Sequence, residues 1–213
     1  MLNLLLTFVA SLLLGMRHAT DADHIVAVST IVSRERSVWR ASRIGALWGL
    51  GHTLTIFLVG GAIIAFKLTF SATFGLSMEF VVAAMLIVLG LMNVLNVETR
   101  PSAISTMRPF FVGIVHGLAG SAAATLLILP LIDDPRWAAA YLLMFGTGTI
   151  AGMTLVTFAI AAPSVYAGAR IANLQRTLRL AAGVVSLAFG LYLAHKIGFV
   201  DGLFTGRPAW TPG

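Results

Sequence analysis

Residues 80–95 read FVVAAMLIVLGLMNVL, a run with no charged side chain and no alternation of polar with apolar positions. A membrane β-strand alternates lipid-facing and lumen-facing residues over about ten positions. An α-helix instead closes its own backbone hydrogen bonds, and about 20 apolar residues carry it across roughly 30 Å of hydrocarbon. This run therefore reads as the centre of a membrane helix. Working outward, further apolar stretches bring the expectation to six spans, at 2–32, 41–66, 76–97, 108–132, 137–162 and 177–197. The expected fold is all-α: a polytopic membrane helix bundle in a single transmembrane domain over 1–213, with 198–213 a short polar tail.

Composition points the same way. Of 213 residues, 58% are hydrophobic and 10% charged, with a mean hydropathy of +0.94, which excludes an ordinary soluble domain. The absence of cysteine rules out disulfides and thiolate ligands, so any metal here meets nitrogen and oxygen. The formal charge of +6 does not indicate nucleic acid, because the basic residues lie at span ends and not along one soluble face. Arg34, Arg36, Arg40, Arg43, Arg100, Arg108, Arg170, Arg176 and Arg179 gather on one side. Lys67, Arg136, Lys196 and Arg207 fall on the other with Asp133, Asp134 and Asp201. The positive-inside rule then predicts a multi-pass inner (plasma) membrane protein with both termini extracytoplasmic. Trp39 and Trp137 fit interfacial belts. The first stretch lacks a basic leader region and a small-residue cleavage site, and is expected to be retained.

Against this background residues 17–25, RHATDADHI, are anomalous. A charge at the bilayer centre costs roughly 2.5–3.5 kcal/mol, so Arg17, Asp21 and Asp23 together would cost on the order of 8–10 kcal/mol if unpaired. The residue types suggest a metal cation as partner. On a regular helix His18, Asp21 and His24 form one inclined stripe while Asp23 points elsewhere, and the two histidines stand about 9 Å apart. One ion cannot reach both. Either the helix breaks near Ala19 to Ala22, as in discontinuous transporter helices, or one histidine serves another site. Asp21 is open to three roles: ligand, acceptor orienting an imidazole, or ion-pair partner of Arg17 four residues earlier.

His52, in GLGHTLT of the next span, is the expected third imidazole, with Thr53 and Thr55 as weaker oxygen donors. The candidate metal residues are thus His18, Asp21, Asp23, His24 and His52. His116 reads first as a pathway or packing residue, His195 as interfacial, and Met78, Met85 and Met92 as a packing stripe. Imidazole with carboxylate suits nickel(II), cobalt(II) or zinc(II), and binding should weaken as pH falls because the ligands must be deprotonated.

The halves 1–98 and 108–198 echo each other. Gly15-x-x-His18 recurs as Gly113-x-x-His116, Gly51 answers Gly148, and Gly90 answers Gly190. Three spans per half would make the repeats inverted, a common transporter architecture.

At His18-Ala-Thr-Asp21-Ala-Asp23-His24 the chain resembles the nickel/cobalt transporter family, whose hallmark is a His, four residues, then Asp-His in a membrane helix. Gly51-His52-Thr53-Leu54-Thr55 resembles the second family motif. The resemblance implies nickel or cobalt coordination by His18, Asp23, His24 and His52, with Asp21 alongside. Six spans in place of eight, and HGLAGSAA and FGTGTIAGMTL without acidic residues, make the chain similar to the short branch described as urease accessory membrane proteins. The expected function is uptake of nickel(II) or cobalt(II) by a permease that is not an enzyme, holds no permanent cofactor and does not bind nucleic acid. The alternatives are a non-transporting accessory factor for metalloenzyme maturation and an intramembrane metalloenzyme. The sequence has no phosphate-binding Gly-x-x-x-x-Gly-Lys-Ser/Thr motif for nucleotide hydrolysis.

Overall fold

The computed structural model describes residues 2–67, 71–97, 103–118, 132, 134–168, 171 and 173–210. Arg100, Asp133, Arg170 and residues 119–131 of the expected fourth span lie outside them. The described elements are helices: α1 (Leu2–His18), α2 (Ala22–Val32), α3 (Val38–Phe66), α4 (Ala72–Val94), α5 (Ala103–His116), α6 (Pro135–Gly168) and α7 (Leu174–His195), which runs into a π-helical turn, Lys196–Val200.

Four of these are long and apolar enough to cross a membrane: Val38–Phe66, Ala72–Val94, Pro135–Gly168 and Leu174–Val200. Among the described residues the expected count of six is not confirmed, for a local reason at each remaining span. The first is cut into two shorter apolar helices, α1 and α2, and within the fourth the helix α5 ends at His116 and residues 119–131 lie outside the described ones.

The cut between α1 and α2 falls where the geometry of the His/Asp motif requires it. Thr20 and Asp21 donate their amides to the carbonyls of Arg17 and His18 (2.8 and 3.1 Å), tightening the chain into a turn. Thr20 Oγ1 donates to the Arg17 carbonyl as well. Asp21 occupies the N-cap of α2 with extended backbone, yet its carboxylate does not cap the helix. Instead Asp23 Oδ1 accepts from the His24 amide at 3.0 Å.

The helices assemble as two sets. In one, α6 packs between α1 and α3, and α3 carries α5 on its other flank; in the other, α4 pairs with α7, and α2 bridges the sets. The echoed glycines make close approaches between helices, in exchanged pairs. Gly15 of α1 faces the backbone of Phe145 and Thr149 on α6, while Gly148 of α6 faces Leu12 of α1. Gly113 of α5 faces Trp48 and His52 on α3, while Gly51 of α3 faces Phe110 and Ile114 on α5. Gly90 of α4 meets Gly183 and Leu187 on α7, and Gly190 of α7 meets Ala83 and Ile87 on α4. Small faces let membrane helices touch backbone to backbone. Hydroxyls add hydrogen bonds between helices: Ser11 to the Tyr141 carbonyl (2.8 Å), Thr55 to Ile114 (3.0 Å) and Ser186 to Leu86 (2.8 Å).

The expected polar tail is not free. Ala209 donates its amide to the Asp201 carbonyl, and Trp210 covers Gly75 of α4 and donates to Glu79 at 2.8 Å. Trp39 is 74% exposed and Trp137 43% exposed at their helix starts, as interfacial residues would be.

A methyl group at Gly51 or Gly113 would overlap a carbonyl oxygen of the facing helix, whereas one at Gly61 meets nothing within 4 Å. Gly51→Ala and Gly113→Ala should each destabilise the detergent-solubilised protein by about 1–3 kcal/mol. Gly61→Ala should be neutral or slightly stabilising. Thermal unfolding checks this, and identical midpoints for the three variants would show that close helix approach is not what residues 51 and 113 provide.

Candidate metal centre

Breaking the first span brings its two histidines together. His18 is the last residue of α1 and His24 lies in the first turn of α2, and their ring centroids are 4.5 Å apart. The side chains converge because the turn removes most of the axial rise that a continuous helix would insert between them.

His52 reaches the same point from the middle of α3. Its ring centroid lies 5.0 Å from that of His18 and 5.2 Å from that of His24. His116, the last residue of α5, packs its ring 4.1 Å from His24. His24, His52 and His116 are fully buried and His18 is 6% exposed. Trp48 stacks on His24 at 5.5 Å, and Phe145 lies 5.6 Å from His18, so aromatic walls enclose the cluster.

The carboxylates divide their roles. Asp21 accepts from His18 Nδ1 at 2.9 Å, which puts a proton on Nδ1; in the neutral ring Nε2 is then the nitrogen open to a ligand. His18 Nε2 faces His52 Nε2 at 3.0 Å. That separation suits an N–H···N hydrogen bond, and it also equals the edge between two nitrogens bound at right angles to one ion through bonds of about 2.1 Å. Asp23 Oδ1 accepts from His24 Nδ1 at 3.1 Å and Oδ2 from His116 Nε2 at 2.9 Å, joining α2 to α5.

Among the described residues two groups could therefore hold a metal ion: His18, His24 and His52, and Asp23, His24 and His116. Within each, one ligand atom per residue lies within 4.8 Å of the others. His24 belongs to both. Three buried imidazole nitrogens, His24 Nε2, His52 Nδ1 and His116 Nδ1, have no hydrogen-bond partner among the described residues. Buried polar atoms are normally paired, and leaving one unpaired costs about 1–3 kcal/mol. A cation with nitrogen and oxygen ligands is a partner of the right chemistry.

Of the sequence candidates, His18, His24 and His52 meet in one group and Asp23 joins the other. Asp21 touches the cluster through His18 and stands outside both groups; its partner is His18, not Arg17 as one sequence reading had it. His116, read from the sequence as a pathway or packing residue and not among the ligand candidates, lies in the second group. The signal that could have found it is the Gly-x-x-His echo: Gly113 allows α5 to press on α3, as Gly15 allows α1 to press on α6, and each helix then ends in its histidine. His195 lies at the end of α7 against Phe199, outside both groups. Met85 packs against the core, and Met92 accepts from Arg108.

Among known proteins the chain is similar to the urease accessory protein UreH of Bacillus sp. (strain TB-90), at 32% identity over 95% of this chain and 96% of that protein. It also matches two Arabidopsis thaliana proteins, Chloroplast protein FOR GROWTH AND FERTILITY 1 and 2, each at 26% identity, over 84% and 79% of the chain. The chain spans about half the length of those two, 56% and 50%. No family model matches the chain, and no solved structure does.

Because His24 serves both groups, His24→Ala should weaken cobalt(II) binding more than His18→Ala or His116→Ala, each of which strips one group. Asp21→Asn, which loosens only the orientation of His18, should cost about 10–100-fold in affinity. Titration of the purified protein followed by cobalt absorption tests the order, and parental binding by His116→Ala would remove Asp23/His24/His116 from consideration.

Proposed function

The chain belongs to the UreH family of urease accessory proteins, and from that premise we propose that it is a membrane permease that takes up a divalent transition-metal ion, nickel(II) or cobalt(II). The observation that supports this reading most is the convergence of His18, His24, His52, His116 and Asp23, from α1, α2, α3 and α5, into one buried cluster. Imidazoles with a single carboxylate suit borderline divalent ions, whereas magnesium and calcium prefer oxygen. The likeness of the His-x4-Asp-His and Gly-His motifs to those of nickel/cobalt transporters favours nickel and cobalt within that class.

His24 gives the transport reading a physical step. An ion held by His18, His24 and His52 can pass to Asp23, His24 and His116 while His24 stays bound, so it is never stripped of all protein ligands at once. The halves 1–98 and 108–198 act in this reading as inverted repeats that rock against each other. The exchanged glycine contacts of α1 with α6 and of α3 with α5 support that pairing. An inside-negative potential draws the ion inward: two charges crossing 100 mV are worth about 4.6 kcal/mol.

A second reading is a non-transporting accessory factor, in which the same residues receive a metal ion and hand it to a partner. The description of the Bacillus relative as an accessory protein favours it. The two readings share their ligands and differ only in whether the ion crosses the membrane.

Proteoliposomes enclosing a metal-sensitive dye separate them. Nickel should accumulate in response to an inside-negative potential, and the rate should fall as the pH is lowered, because protons compete with the metal ion for the imidazole and carboxylate ligands. His24→Ala and His52→Ala should each lower the rate at least tenfold. Metal binding without accumulation would establish the accessory reading, and undiminished accumulation by correctly inserted variants would overturn the site.

A further inference from the structure

The three helices that carry His24, His52 and His116 share a second layer of side chains, one turn nearer the end of the bundle where α2 finishes and α3 and α5 begin. Val28 lies four residues after His24 on α2, Trp48 four before His52 on α3, and Val112 four before His116 on α5. A spacing of four keeps each on the face of its histidine, about 6 Å along the axis. Val28 and Trp48 are each 1% exposed and Val112 is 8% exposed, and the three belong to one apolar core. The Trp48 indole stacks 5.5 Å from the His24 ring and lies 5.4 Å from that of His116. It stands directly against the Asp23, His24 and His116 group.

Beyond that layer the same three helices border a cavity of about 550 Å³. Ile31 of α2, Ile44 of α3 and Pro109 of α5 line it, each three or four residues further from the histidine of its helix. Ile31 and Ile44 also pack on the core that holds Trp48, so layer and cavity are in contact. Glu35, Arg40 and Thr106 make the walls polar, and a polar space of this size holds water. From cluster to cavity the order is therefore imidazole, apolar side chain, water, with the apolar layer one helical turn thick.

We propose that this cavity is the cytoplasmic vestibule through which the metal ion leaves the His/Asp cluster, and that Trp48, with Val28 and Val112, is the seal between them, opened by movement of the indole. The proposal rests on the permease reading and names the exit from its site. A dication without ligands is very costly in apolar surroundings, and hydrophobic constrictions close pores by excluding water. Valine keeps essentially one side-chain rotamer on a helix, so Val28 and Val112 are fixed walls. Trp48 is the member free to move. Its buried Nε1 has no hydrogen-bond partner among the described residues, and turning the indole edge to the cavity gives that N–H water to donate to. Gly113 leaves the ring space, because a Cβ there would lie 2.9 Å from Trp48 Cδ1. The cavity also carries Arg43 and Arg108, from the set that the positive-inside rule places in the cytoplasm.

The chain has no cysteine, so a single substitution supplies a unique thiol for labelling. In inside-out membrane vesicles a membrane-impermeant methanethiosulfonate should modify Ile44→Cys, at the cavity, about tenfold faster than Val28→Cys, in the seal, because reactivity follows access to the thiolate. Adding Trp48→Ala should raise the Val28→Cys rate about tenfold, whereas Trp48→Phe, which keeps an aromatic plug, should leave it near the parental value. In right-side-out vesicles Ile44→Cys should stay unmodified. In proteoliposomes Trp48→Ala alone should release preloaded nickel about tenfold faster than the parent while keeping the parental cobalt(II) absorption, since it removes no ligand atom. An unreactive Ile44→Cys in inside-out vesicles, its modification from the opposite face, equal parental rates at the two positions, or no gain from Trp48→Ala would each overturn the proposal. The expected labelling pattern in a chain that moves no nickel would refute the permease reading while upholding the seal.

Discussion

Four imidazoles and a carboxylate sit in an apolar helix bundle, and the arrangement of α1, α2, α3 and α5 depends on satisfying them there. In hydrocarbon no water completes a missing hydrogen bond, so polar groups must find partners among themselves or in a bound ion. Each structural departure from a plain bundle serves that requirement. The first span breaks after His18, Asp21 gives up capping α2 to hold the His18 ring, and Asp23 uses both oxygens to tie His24 to His116. A continuous helix would keep His18 and His24 about 9 Å apart and leave the carboxylates facing different neighbours.

The second requirement is closeness. An imidazole reaches only a few ångströms from its backbone, so α3 and α5 must touch to bring His52 and His116 to the same place. Gly51, Gly113 and Gly117 provide that contact, and Gly15, Gly148 and Gly152 do the same where α1 meets α6. The glycines and the histidines are therefore one device: the small residue sets the distance and the residue three positions on, His18 or His116, uses it. The same economy appears at the other end of the bundle, where Arg34 and Arg179 donate to the Met92 and Asn93 carbonyls and close the end of α4.

The fold class was legible in residues 80–95 and in the composition, because the cost of unpaired backbone in lipid leaves a charge-free apolar run only the helix. The break near Ala19 was legible because two histidines and two aspartates at that spacing cannot share an ion on a regular helix, and α1 ends at His18 as that argument requires. The number of spanning helices was less legible: hydropathy sums over a window and does not register a turn such as that at residues 19–21.

By itself the sequence determined that the chain is a helical membrane protein and that RHATDADHI and His52 put polar side chains into apolar segments, since composition and spacing along one chain are enough for both. Only the tertiary structure decided which residues meet. His116 lies 93 positions from Asp23 and becomes its partner through the packing of α5 on α3. Asp21 faces His18 rather than Arg17 because the turn redirects it. Contact between residues far apart in sequence depends on how closely helices approach and where they break, and those are settled by backbone contacts that no local pattern records.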